Sequence, residues 1–214
     1  MHTILLTGFT AFGTETVNPS WQAVSALHDW QPDAHSRVHA LELPCVFDES
    51  LQLLAKAIQR FQPVLVIAVG QAGGRCAVSL EKVAINYDDA RIADNKGQQP
   101  LGRAIDAKGP AAYFTTLPVK AIIQRLRQQG IPADLSFSAG TFVCNHVFYG
   151  LMQQLSSLPG VRGGFIHIPY NPAQACHHQA PSMSLDLVIA ALKTSIELSL
   201  QTEPDIELAT GQLD

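Results

Sequence analysis

Short apolar runs of strand type alternate along the chain with stretches whose apolar residues recur every three or four positions. The first run, Thr3-Ile4-Leu5-Leu6-Thr7, stops at Gly8; Asn18-Pro19 then offers a helix cap and a first-turn proline ahead of Trp21, Val24 and Leu27 at helical spacing. Arg37 to Leu43 alternates as a strand, and Asp48 opens a helix carrying Leu51, Leu54, Ile58 and Phe61. Val64 to Val69 is apolar at every position between Pro63 and Gly70, which suits a strand buried on both faces. Val78 to Asn86 reads as extended, and the polar stretch Tyr87 to Ala111, rich in glycine and proline, reads as a long excursion. A helix through Val119, Ile122, Ile123 and Leu126 follows, then a strand over Ala133 to Ala139 and a helix with Val143, Val147, Leu151 and Leu155 on one side. Gly164 to Ile168 forms a further strand, ended by Pro169-Tyr170-Asn171-Pro172, and Leu185, Val188, Ile189, Leu192 and Ile196 mark the last helix.

This alternation predicts a three-layer α/β/α fold with a twisted, mainly parallel sheet. Residues 1–201 read as a single catalytic domain and 202–214 as a frayed acidic tail. Sites in such folds gather beyond the carboxyl ends of strands, which nominates the loops Gly8 to Gly13, Gly70 to Gly74, Ala139 to Cys144 and His167 to Asn171.

Composition narrows the function classes. Over 214 residues, 47% are hydrophobic and only 15% charged, so extended disorder is excluded, while a net charge of -4 without a basic block argues against nucleic acid. No apolar run approaches the roughly 18 residues of a membrane span, and the N-terminal Met-His-Thr-Ile-Leu-Leu-Thr-Gly lacks a basic n-region, so a cytoplasmic protein without membrane contact is expected. Cys45, Cys76, Cys144 and Cys176 are then thiols.

Three residues stand out chemically. Cys144 lies just inside a helix, where free backbone N–H groups and the helix dipole stabilise a thiolate, although a small core hydrophobe fits the same position. His167 sits near the end of a separate strand, on the opposite face from Ile166 and Ile168, as a base or as a hydrogen-bonded core histidine. His146 is its rival, but two positions along a helix from Cys144 it faces elsewhere. Alternation through Ser79 to Ile85 puts Glu81 on the same face as Val83 and Ile85, where a carboxylate needs a partner; an exposed edge glutamate is the other reading. With His167 as that partner, Glu81 fixes the imidazole tautomer and leaves the second ring nitrogen to activate Cys144.

The residues resemble the pyroglutamyl peptidase I (pyrrolidone carboxyl peptidase) family of cysteine peptidases over about residues 1–200. The likeness rests on Thr7-Gly8-Phe9-Thr10-Ala11-Phe12-Gly13 with Asn18-Pro19-Ser20-Trp21, on Glu81 through Asn95, on Ser138-Ala139-Gly140-Thr141-Phe142-Val143-Cys144-Asn145, and on Phe165-Ile166-His167-Ile168-Pro169. It implies Cys144 as nucleophile, His167 as general base and then acid, and Glu81 as the group orienting His167. It further implies removal of N-terminal pyroglutamate from peptides through a thioester, without metal or cofactor, by a homotetramer. Phe9, Phe12, Phe142 and Val143 match the lactam pocket. Asn18 and Gln71 stand where the lactam polar groups would be paired, and Arg91 matches an arginine near the oxyanion. Gly13-Thr14-Glu15-Thr16 departs from a common Gly-Gly pair, and Cys45 stands where a small residue such as threonine is usual.

Two other chemistries use residues of this chain. A metal hydrolase would draw on Cys144, His146, His167, Cys176, His177 and His178, but contiguous Cys176-His177-His178 forms no familiar zinc spacing. A phosphate cradle at Gly70-Gln71-Ala72-Gly73-Gly74 matches neither common phosphate-binding pattern. A silent binding module is the third alternative, against which the intact Cys144, His167 and Glu81 set argues.

Overall fold

The computed structural model describes residues 1–201 and 204–211. In chain order the elements are β1 (His2–Phe9), α1 (Pro19–Ser25), β2 (Ser36–Leu43), α2 (Glu49–Phe61), β3 (Leu65–Gln71), β4 (Val78–Glu81), β5 (Val83–Ile85) and β6 (Ala112–Phe114), followed by α3 (Val119–Gln128), β7 (Ala133–Ser136), α4 (Val143–Leu155), β8 (Arg162–Ile168), α5 (Pro172–His178) and α6 (Leu185–Gln201). Among the described residues one six-stranded sheet has the order β2-β1-β3-β8-β4-β7, and β5 pairs with β6 in a separate hairpin. The strands from β2 to β8 in that order run parallel; β4 is antiparallel to β8, and β7 follows β4. The sheet is therefore mixed and mostly parallel, with helices on both sides.

The two-sided burial expected for the third strand holds. Leu65, Ile67 and Val69 join the apolar layer beneath α1, α3 and α6, while Val66 and Ala68 join the opposite layer with Leu54 of α2 and Val147, Phe148 and Leu151 of α4. Burying both faces removes a continuous apolar surface from water, and this anchors the central strands that carry the site. Asn18 caps α1 as expected, its Oδ1 accepting from Ser20 N at 3.0 Å.

Four local readings change. The extended stretch from Val78 is broken at Lys82, whose N–H donates to Ser136 O while its own carbonyl accepts from Thr115 N, so the chain passes from β7 to β6 there. Glu81 and the half-buried pair Val83 and Ile85 thus belong to different sheets. The strand from Ala133 stops at Ser136. Asp48 precedes α2 but does not cap it; at φ 62° its backbone N–H turns instead to His146 Nε2 at 3.1 Å. The segment after Tyr170 forms α5, because Asn171 and Gln174 build a reciprocal capping box around Pro172.

The excursion over 87–111 contains no helix and is latched to α4. Asn145 accepts from Ile85 N and donates to Ile85 O and Tyr87 O, and His146 Nδ1 meets buried Asp88 Oδ2 at 2.9 Å. In the segment expected to fray, residues 202, 203 and 212–214 lie outside the described residues. Asp205 is tied down: its carboxylate accepts from Lys120 N and Ala121 N, each at 3.0 Å, and so caps α3, where Pro118 provides no side-chain acceptor. Replacing it, Asp205→Ala, should destabilise the protein by about 1 kcal/mol and lower the melting temperature by about 2–4 °C; an unchanged thermal melt would show that this cap does not hold in solution.

Candidate active site

Three neighbouring strands set the geometry. In the β3–β8 register Gly70 stands opposite His167, and in the β4–β8 register Ser79 stands opposite His167 on the other side. Glu81, two residues beyond Ser79, shares its face and sits diagonally from His167, within side-chain reach. His167 Nδ1 meets Glu81 Oε1 at 2.7 Å, with Glu81 fully buried and His167 nearly so. Because β4 runs against β8, Glu81 at the carboxyl end of β4 lies on the amino-terminal side of His167 along β8, and its carboxylate reaches the imidazole from beneath.

Cys144 enters above Gly70. A Cβ built on Gly70 would stand 2.9 Å from Cys144 Sγ and 2.8 Å from Phe165 Cζ, so the missing side chain is what admits the sulfur to a point across the sheet register from His167. The cysteine is the second residue of α4, and its backbone N–H lies among those that find no acceptor inside a helix.

Burial dominates the electrostatics. It pushes the Cys144 thiol up, aided by Cys45 and Glu81 and opposed by Arg75. It pulls His167 below the usual imidazole value, against the hydrogen bond and charge of Glu81. Burial also works to raise Glu81, yet the His167 hydrogen bond, with its charge, Ser136 and Arg75, prevails and holds the carboxyl below its usual value. At neutral pH the resting site is therefore a thiol, a neutral imidazole and an ionised carboxylate. The carboxylate assigns the proton to Nδ1 and leaves Nε2 open.

A cavity of about 230 Å³ adjoins these groups, lined by Phe9, Phe12, Asn18, Cys45, Gln71, Ala72, Arg75, Ala139, Gly140, Phe142, Cys144 and His167. The Phe12 and Phe142 rings lie with centroids 6.3 Å apart and planes tilted by 45°. Asn18 builds the wall by donating to Thr10 O and accepting from Ser20. Gln71 Oε1 accepts from Gln174 Nε2 of α5, which also donates to Glu15 Oε2; His178 of the same helix meets Glu15 Oε1 at 2.5 Å. Burial, with Asp94 nearby, pushes the Cys45 thiol up to about 12.

Of the residues singled out in the sequence, Glu81, Cys144 and His167 come together, and Phe9, Phe12, Asn18, Gln71 and Phe142 line the cavity beside them. Val143 stands behind the wall in the core, and Arg91 is exposed and outside the lining. Arg75 escaped the sequence reading. Its signal was position, directly after the glycine turn that follows β3, in a chain poor in charge. Cys176, His177 and His178 lie on α5 outside the lining, with His178 stacked on Tyr170 at 4.6 Å, so they do not converge with Cys144 and His167. In the glycine turn, the Tyr170 ring fills the place that a Gly73 side chain would take, so that turn packs against the loop after β8.

Known proteins share this sequence and fold. A family model described as pyroglutamyl peptidase matches residues 2–202. The pyrrolidone-carboxylate peptidase of Klebsiella pneumoniae (strain 342) is 57% identical over 209 residues, covering 97% of each chain, and that of Pectobacterium carotovorum is 55% identical over the whole of both. Pyroglutamyl peptidase I from Bacillus amyloliquefaciens superposes with a TM-score of 0.94 at 50% identity, covering 97% of this chain and 100% of that one. A mutant pyrrolidone carboxyl peptidase from Pyrococcus furiosus gives 0.90 at 37% identity, covering 93% and 98%. With matches of this extent in sequence and fold, the chain belongs to the pyroglutamyl peptidase family of cysteine peptidases.

Proposed function

We propose that this enzyme removes N-terminal pyroglutamate through a thioester, with Cys144 as nucleophile, His167 as base and then acid, and Glu81 orienting His167. The observation that carries the assignment is the register across β3, β8 and β4, which lines up the Gly70 gap filled by Cys144, the His167 ring and the Glu81 carboxylate. His167 Nε2 takes the thiol proton as sulfur attacks the pyroglutamyl carbonyl, the imidazolium is stabilised by Glu81, and the same proton passes to the departing amine. Water activated by His167 then cleaves the thioester and releases pyroglutamate. The Cys144 backbone N–H at the start of α4 supplies a donor to each tetrahedral oxyanion.

The cavity supports the substrate class. At about 230 Å³ it is smaller than the roughly 300–1,000 Å³ of drug-sized ligand sites, so it suits one small ring, and its phenylalanine walls suit a flat uncharged lactam. A free N-terminal glutamate would bring charges into this apolar space, and a prolyl analogue would leave the polar partners of the ring carbonyl unpaired, at about 1–3 kcal/mol. Cytoplasmic location and homotetrameric assembly form part of the same proposal. Among the described residues no helix is long and apolar enough to cross a membrane, and exposed Leu101, Phe114 and Phe137 offer apolar contacts for other subunits.

With a pyroglutamyl fluorogenic amide, Cys144→Ala should lose turnover by at least about 10⁴-fold while keeping its fold, and wild type should accumulate a thioester under acid quench; equal turnover by both proteins would sink the assignment. His167→Ala should alkylate more slowly at Cys144 near neutral pH. The acid limb of kcat/KM carries a sign. Burial holds His167 below the ordinary imidazole value of 6.5, so the midpoint of the acid limb should lie below that pH. A limb at or above that pH in the rate profile would contradict a buried His167 base.

A further inference from the structure

One charged side chain on the cavity wall has no part in the proposed chemistry. Arg75, in the turn after β3, is about 30% exposed and reaches two elements. Its Nη1 donates to Glu81 Oε1 at 2.7 Å and its Nη2 to Ser138 O at 3.0 Å. Glu81 Oε1 is the same oxygen that meets His167 Nδ1 at 2.7 Å, and Glu81 Oε2 is buried without a hydrogen bond of normal geometry, Ser136 standing opposite Glu81 on β7. One carboxylate oxygen thus carries both bonds, and Ser138 begins the turn, through Gly140, that delivers Cys144 to the start of α4.

We infer that Arg75 is a positioning residue that locks the Glu81 carboxylate against His167 and ties it to the turn delivering Cys144, so that one side chain sets the register between the acid-base pair and the nucleophile. This rests on the proposed roles of Glu81, His167 and Cys144. A rigid guanidinium fork suits the task, since its two donors leave in fixed directions and reach two acceptors on different elements. Without it, the carboxylate is free to turn its second oxygen toward the imidazole and draw the ring away from the thiol. The charged and titratable groups facing this cluster are Glu81 from β4, Cys144 from α4, Cys45 across the cavity and Arg75 itself. Arg75 favours the Cys144 thiolate and opposes the protonation of His167, so its charge acts in opposite directions on the two ends of the proton transfer, and its contribution to that step is the geometry it holds.

The test compares full-length wild type, Arg75→Met and Arg75→Lys by the pH dependence of kcat and KM on a pyroglutamyl amide, with Cys144 alkylation by iodoacetamide measured in parallel. In Arg75→Met, kcat should fall about 10–100-fold with KM changed less than about threefold, and the acid limb should move to higher pH because the cation opposing His167 protonation is gone. Arg75→Lys keeps the charge without the fork, so it should return the limb to the wild-type pH while kcat recovers only in part. An unmoved limb in Arg75→Met, a limb that Arg75→Lys fails to return, or a loss confined to KM would overturn the inference. If Arg75→Met does not fold, Arg75→Lys decides alone: reduced kcat at an unmoved limb supports the inference, and wild-type kcat refutes it. Failure of wild type to turn over the amide would count against the proposed function instead, and the alkylation profiles would still report whether Arg75 governs the Cys144–His167 pair.

Discussion

The site depends on a short antiparallel contact, Ser79 with His167 and Leu80 with Ile166, in a sheet whose central strands otherwise run parallel. It brings a carboxylate into the apolar centre of the molecule, where an unpaired charge costs several kcal/mol. Pairing Glu81 with His167 and Arg75 answers that cost and at the same time assigns the imidazole its tautomer. A parallel β4 with the same residues would point its carboxyl end the other way and need a different register to reach His167. Stability and chemistry are thus joined at one oxygen atom.

Around that centre the chain works in two kinds of material. The sheet and its two apolar layers are stiff, because interiors packed on both faces resist small displacements. The cavity walls are loops, each fixed by polar side chains: Asn18 for the loop after β1, Asn145 and His146 for the long excursion, Gln174 for the junction of α5 with Gln71 and Glu15. Nearly every one of these groups is buried and hydrogen-bonded, so the pocket's shape is set by directional bonds laid over a rigid floor.

Much of this was legible in the sequence, and the parts that were not have physical reasons. Hydrophobic period revealed the strands and helices of the core, because burial on one or two faces writes itself into the spacing of Val64 to Val69 or of Val143, Val147 and Leu151. Cys144, His167 and Glu81 were nominated by local address, and the family likeness tied them together. Period could not show the break at Lys82, since a strand that changes partners keeps its extended pattern. Helix α5 was hidden by prolines and histidines, although Asn171 and Gln174 at cap spacing announced it. Val143 and Arg91 matched a pattern whose side chains here lie behind the wall and on the surface. Arg75 gave only the signal of its place after the glycine turn, because its role lies in bridging two segments far apart in sequence from each other, Glu81 and Ser138.

The carboxylate of Asp205 at the start of α3 has a consequence for the order of assembly. The two amide protons it receives belong to residues 84 and 85 positions earlier, so α3 leaves synthesis with its first turn unsatisfied except by water. Its final stability arrives only when Asp205 has emerged and reached the start of α3. A nascent chain halted before that point would hold a nearly complete sheet beneath an α3 whose first amide groups are bonded only to water.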